Sequence, residues 1–325
     1  MSVAKDSLST NAMGGKELMK YGLLSRIAKE KLDDFQIFVS RVEEELDPTK
    51  IRLLWLHDLP GDPASEHLRN GGWKKFHRLI FASNWQMQAY INHYQIPWSK
   101  CIVLQNAIEP IEEHTKSNDV IRLAYWSTPH RGLSILVPVF EKLCERYDNI
   151  VLDVYSSFDL YGWPERNKPY EDLFERCRQH PKINYHGTVD NAVLRENLKN
   201  THILAYPSIW PETSCITLME AMSAGLLCVH PNYAALYETA ANWTMQYQFN
   251  EDLNQHANMF YVALAGAIEN FWDDSVQSRL DSQKAYANVF YNWEFRTIQW
   301  EAVLASVIHE PREIPSDGDV FTYKV

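Results

Sequence analysis

The run from Ile203 to Gly225 limits what this chain can fold into more than any other segment. Its apolar start, Ile203-Leu204-Ala205-Tyr206, has the length and composition of a buried strand. Pro207-Ser208-Ile209-Trp210-Pro211 interrupts it as a turn. The residues after the turn read as a helix, with Thr213 and Ser214 as candidate N-caps and Gly225 at the C′ position. A strand that hands over directly to a helix is the repeating unit of parallel α/β architecture. Two glutamates, Glu212 and Glu220, stand in this unit with seven residues between them. Taken as helix, that separation is a rise of about 12 Å, which sets one carboxylate at each end of a diphosphate. The unpaired N–H groups and positive dipole end of a helix start suit phosphate. One acid is then placed for a sugar and the other for a ribose.

The same alternation runs through most of the chain and predicts parallel sheets. Phe35–Ser40, Arg52–His57, Leu79–Ala82 and Ile102–Leu104 read as strands, with helices at Lys16–Lys31 and Asn84–Tyr94. Glu109–Asp119 is polar and aperiodic and reads as a linker. Beyond it, Val120–Trp126, Ile150–Tyr155, Lys182–His186 and Leu226–His230 read as strands. Arg131–Tyr147, Tyr170–Gln179 and Asn191–Lys199 read as helices, and Pro311–Val325 as an irregular tail. The expected division is a first domain over 1–112, a second over 113–288, and a closing helix with tail over 289–325. Two such halves make a cleft, and open α/β sheets bind ligands at the carboxyl ends of their strands.

Several functional classes are disfavoured. The 31 basic residues against 42 acidic ones give a net charge of -11, a poor match to nucleic acid. Cys101, Cys144, Cys177, Cys215 and Cys228 are scattered without metal spacing and read as reduced thiols. No stretch approaches the roughly 18 apolar residues of a membrane span, and Met1–Asn11 lacks a signal-peptide core. A cytoplasmic protein without a transmembrane segment is expected. The Gly-rich phosphate loops of dehydrogenases and P-loop enzymes are missing from the sequence. The only D-x-D triplet, Asp317-Gly-Asp319, sits in the tail, away from any strand, so no metal site is expected.

The pair Glu212 and Glu220, in its strand–turn–helix setting, resembles the E-x7-E motif of retaining glycosyltransferases of the GT-B fold, family 4. Other segments resemble the same family in chain order. Asn11-Ala-Met-Gly14-Gly15-Lys-Glu-Leu-Met19 is similar to its Gly-Gly loop and first helix, although Ser2–Thr10 is too polar for the strand that precedes this loop. His57 stands at a strand end, where the family has a histidine that contacts the transferred sugar. Phe81-Ala-Ser-Asn-Trp85 and Leu104-Gln-Asn-Ala-Ile-Glu109 resemble strand-end markers of the N-terminal domain, with Ala107 for the usual glycine. Arg131 falls on the family lysine that meets the diphosphate, while Trp126 stands where the family has an arginine. His130, or a residue elsewhere, is the candidate to supply the missing charge. Ile183-Asn-Tyr-His186-Gly187-Thr-Val189 is similar to the strand end that reads the nucleotide base. Tyr291–Glu301 resembles the helix that returns to the N-terminal domain.

The resemblance implies two Rossmann-like domains with parallel sheets facing a cleft, the N-terminal one shortened. It also implies a retaining, metal-independent transfer of sugar from a UDP- or GDP-sugar to a glycan or other hydroxyl acceptor. No cofactor is implied beyond the donor as co-substrate. Glu212 is expected to hold the donor sugar, Glu220 the ribose, and His57 the sugar from the other domain. Gly14, Gly15, Arg131, Thr213, Ser214 and Cys215 would surround the diphosphate, with His186 and Gly187 at the base. Among the tryptophans, Trp126, Trp163 and Trp210 are candidates to line the cleft. Two other readings stand beside this one: a nucleotide-sugar epimerase on the same fold, and a non-catalytic binding module.

Overall fold

The computed structural model of the protein describes residues 14–42 and 44–313. The polar stretch Ser2–Thr10, residues Asn11–Met13 of the Gly-Gly segment and the Asp317-Gly-Asp319 triplet lie outside the described residues. Among the described residues, ten strands form two sheets, both wholly parallel. The chain divides into two compact units. Among the described residues, Lys20–Leu104 and Thr297–Glu313 make the first, and Gly14–Met19 with Gln105–Arg296 make the second.

In the first unit, β1 (Phe35–Val39), β2 (Ile51–Leu56), β3 (Arg78–Phe81) and β4 (Cys101–Val103) lie side by side in chain order. Every residue of β2 is buried, as befits a parallel strand covered on both faces. Phe38, Leu54, Leu79, Phe81 and Tyr90 pack one layer of that core. The expected helix from Lys16 to Lys31 is two helices, α1 (Gly15–Leu24) and α2 (Lys29–Leu32). Side chains cause the break. Ser25 Oγ and Arg26 Nη1 both donate to the Gly22 carbonyl, at 3.2 and 3.0 Å, and so satisfy the end of α1 locally. The third helix, α3 (Asn84–Tyr94), starts from Ser83, whose Oγ accepts from the Gln86 N–H.

The second unit contains β5 (Ile121–Trp126), β6 (Ile150–Tyr155), β7 (Ile183–Tyr185), β8 (Ile203–Ala205), β9 (Leu227–Pro231) and β10 (Met245–Tyr247). Between and after them come α4 (Leu133–Cys144), α5 (Glu171–Gln179), α6 (Asn191–Leu198), α7 (Ile216–Ser223), α8 (Leu236–Ala240), α9 (Leu253–Asn270), α10 (Asp274–Phe290) and the start of α11 (Trp293–Val307), which belongs to the first unit from Thr297 on. The sheet runs β7-β6-β5-β8-β9-β10. Numbered within the unit this is the doubly wound order 3-2-1-4-5-6, whose direction of winding reverses between β5 and β8. Loops leaving the carboxyl ends of two strands that flank such a reversal part to opposite faces and leave a crevice. In this chain those loops carry Arg131, after β5, and Glu212, after β8.

Candidate active site

Three helix features fix the crevice. The turn after β8 is not helical as far as Cys215, so α7 begins at Ile216 rather than beside Glu212. The expected caps are therefore corrected: Cys215 takes the N-cap place, and no side chain caps α7. The Ser214 hydroxyl is buried without a partner. The helical rise assumed between the two glutamates also falls, since half of their separation is turn. At the other end Gly225 (φ 64°) closes α7 as expected, with bonds from its N–H to Met222 O and from Leu226 N–H to Ala221 O.

Gly132 brings the two loops together. It has φ 132°, and a Cβ there would meet the Pro207 carbonyl oxygen at 2.2 Å. Only glycine permits this approach, and Ile209 N–H completes it by donating to Arg131 O at 3.2 Å. Arg131 then reaches Glu212. Its Nη1 donates to both carboxylate oxygens, at 2.9 and 2.8 Å, and the Tyr206 hydroxyl donates to Oε1 at 2.7 Å. Glu212 is 3% exposed. Burial works against the Arg131 charge, yet Glu212, Tyr161 and Tyr206 hold the guanidinium well above its ordinary pKa. Its Nε–H is buried and makes no hydrogen bond.

The start of α1 lies against this pair. A Cβ on Gly15 would stand 3.0 Å from Ile216, the first residue of α7, and one on Gly14 would stand 2.8 Å from the Tyr161 ring. The N-termini of α1 and α7 thus approach one another, with Gly14 against Tyr161, one of the groups that act on the Arg131 charge. Glu220 lies one helical turn into α7, almost fully buried, with Arg195 Nη1 at 3.3 Å. Arg195 also donates to the carbonyls of Glu109 and Pro110. Burial pushes the Glu220 carboxyl above its ordinary range, opposed by Arg195, Trp126 and Asn191. His186 follows β7 and stacks on Tyr155, with ring centroids 4.4 Å apart. Its Nε2 pairs with Asp153 at 2.8 Å, and Gly187 takes φ 64°.

Residues 109–270 match the model of the family described as glycosyl transferases group 1. That segment is a glycosyltransferase domain. A glycosyltransferase from Rickettsia africae superposes with a TM-score of 0.66 at 15% identity, covering 95% of this chain and 84% of that one. Anabaena Alr3699/HepE, solved with UDP-glucose, gives 0.62 at 16% identity over 79% and 72%. The pneumococcal O-GlcNAc transferase GtfA, solved with UDP and GlcNAc, gives 0.63 at 14% identity over 91% and 60%. No curated protein matches the chain by sequence. The fold is GT-B, and the protein is an enzyme of the glycosyltransferase class. Among the described residues, no helix is long and apolar enough to cross a membrane.

The remaining expectations for the transferase divide. His57 belongs to the first unit, just past β2, with its ring 4.8 Å from that of Trp55. Trp163 and Trp210 are 39% and 37% exposed, but Trp126 is buried at the end of β5 and offers no open face. Nor does His130 replace the missing charge. It stacks on Phe158 and meets the edge of Trp210, and burial depresses it to about 4, so it is neutral at pH 7. Sequence reasoning missed Tyr206, Gly132, Arg195 and Asp153. A glycine directly after a strand-end arginine was the one readable signal among them. Arg195 and Asp153 act through partners 25 and 33 positions away, and Tyr206 through Glu212, six residues on.

Proposed function

We propose that the enzyme transfers a sugar with retention, without metal, from a UDP- or GDP-sugar to a glycan or other hydroxyl acceptor. The observation that carries this is the Arg131–Glu212 pair at the sheet's reversal, beside the N-termini of α1 and α7. An incoming diphosphate would take Arg131 as its counter-ion, using the idle Nε–H first, and release Glu212 to the donor sugar's hydroxyls. Developing charge on the leaving phosphate would be met by Arg131 and by the backbone N–H groups of Thr213, Ser214 and Cys215, with Gly14 and Gly15 allowing close approach. Glu220 would hold the ribose, while His186 and Gly187 would meet the base. His57 would meet the sugar from the first domain, taken as 1–112, against a donor domain of 113–288 and a returning segment of 289–325. No side chain here is offered as a covalent nucleophile, so attack on the donor face is assisted by the departing phosphate. The UDP-sugar and UDP complexes of HepE and GtfA support a uridine donor first. All five cysteines are free thiols, and we place the reaction in the reducing cytoplasm.

The test is a panel of UDP- and GDP-sugars incubated with the enzyme in EDTA, with release of nucleoside diphosphate and thermal stability both recorded. The preferred donor at 100 times its Kd is expected to add about 2.7 kcal/mol to stability. Hydrolysis or transfer that stops when metal is chelated would refute metal independence, and binding without turnover of any donor would favour the non-catalytic module.

A further inference from the structure

The first unit contains a cavity of about 220 Å³ between the α1–α2 segment and β1. Among the described residues β1 is paired on one side only. Phe35, Ile37 and Val39 share one face of it by the two-residue period of a strand, and they form one wall of the cavity. The opposite face is used: Phe38 packs into the core. Ile37 and Val39 stay half-buried although apolar. Leu23 and Ile27 face them across the space. The charged residues of the lining are Lys20, Lys29 and Lys50 against a single carboxylate, Asp33, in a chain whose net charge is -11. Lys50 is tethered to the Asp33 carbonyl, which keeps its ammonium at the rim.

We propose that this cavity binds the aliphatic chain of an anionic single-chain amphiphile, with its head group among the lysines. An apolar hollow bounded by cationic stems suits a ligand with both characters, because lysine covers apolar surface with its methylenes and holds its charge in water. A space of 220 Å³ has room for about seven water-sized groups, hence for a chain of about that many methylenes. Nothing in this site depends on the donor reading, and binding is expected whether or not sugar transfer follows that mechanism.

The experiment is calorimetry of the full chain with alkyl phosphates from butyl to decyl, kept below their micelle concentrations. Affinity is expected to rise about four-fold per methylene, the equivalent of about 0.8 kcal/mol, and to level off near octyl. Octyl trimethylammonium should bind at least ten-fold more weakly than octyl phosphate, and inorganic phosphate alone should not bind. Ile37→Trp, which fills the space from a half-buried position, should weaken octyl phosphate at least ten-fold with an unchanged unfolding midpoint. The surface pair Lys29→Glu with Lys50→Glu reverses the rim without touching the core and should have the same effect. Equal binding of the cationic and anionic chains, no dependence on chain length, or wild-type affinity in the folded variants would overturn the proposal.

Discussion

Arg131→Met tests the central pair, because it removes the guanidinium and keeps most of the apolar stem. Glu212 is 3% exposed and accepts two bonds from Arg131 and one from Tyr206. Without Arg131 it would be a buried carboxylate with a single neutral donor. Removing one partner of a buried ion pair costs about 3–5 kcal/mol. For a folding unit in the range of 150–250 residues, each kcal/mol moves the midpoint by about 2–4 °C, so a fall of about 6–20 °C is expected by scanning calorimetry. Glu212→Gln should cost less, since the Arg131 side chain is 24% exposed and can turn to water. The double variant should recover much of the Arg131→Met loss, with a coupling of about 2 kcal/mol or more in the cycle. A midpoint within about 2 °C of wild type for Arg131→Met, or a double variant no better than it, would show that the buried pair does not hold this site together.

Glu212→Gln and Glu220→Gln should separate by calorimetry: the first keeps affinity for free nucleoside diphosphate while turnover drops, and the second weakens nucleotide and donor alike. Equal and negligible effects on nucleotide binding would remove the ribose role of Glu220. Gly132→Ala forces a Cβ against the Pro207 carbonyl at a φ of 132°, so it should destabilise by about 1–3 kcal/mol and weaken donor binding; unchanged binding would separate that contact from the site. His230 is fully buried, and burial depresses it to about 4 against a weak opposing bond to the Pro231 carbonyl. The unfolded chain binds that proton first, so stability is complete above about pH 6.5 and falls by about 3 kcal/mol as pH drops to about 4. Denaturant midpoints that stay flat over that window, or a His230 resonance titrating near pH 6.5, would contradict the burial argument.

The doubly wound half was legible because its central strands announce themselves. Ile150–Tyr155 was read with its observed bounds, and Val120–Trp126 differs from β5 by one residue. Both are apolar runs buried on two faces, and such burial leaves its mark on composition. The three-residue strand β10 leaves no comparable mark, since Met245, Gln246 and Tyr247 gain their partner only from β9. The two glutamates show the same limit in the site. Their spacing was read as one helix, but Cys215 is extended (φ -116°, ψ 94°) and α7 starts four residues after Glu212.

What the glutamates bond to was not readable from spacing at all. Arg131 lies 81 positions from Glu212 and Arg195 lies 25 from Glu220, and both pairings depend on strand order. Only after β5 and β8 are known to be neighbours does it follow that the residues ending them must meet. Gly132 then acquires a physical reason, because two loops leaving adjacent strand ends must pass within backbone contact. The chemistry of the site is therefore a property of the reversal in the sheet. The motif supplies the acids, and the topology supplies their cations.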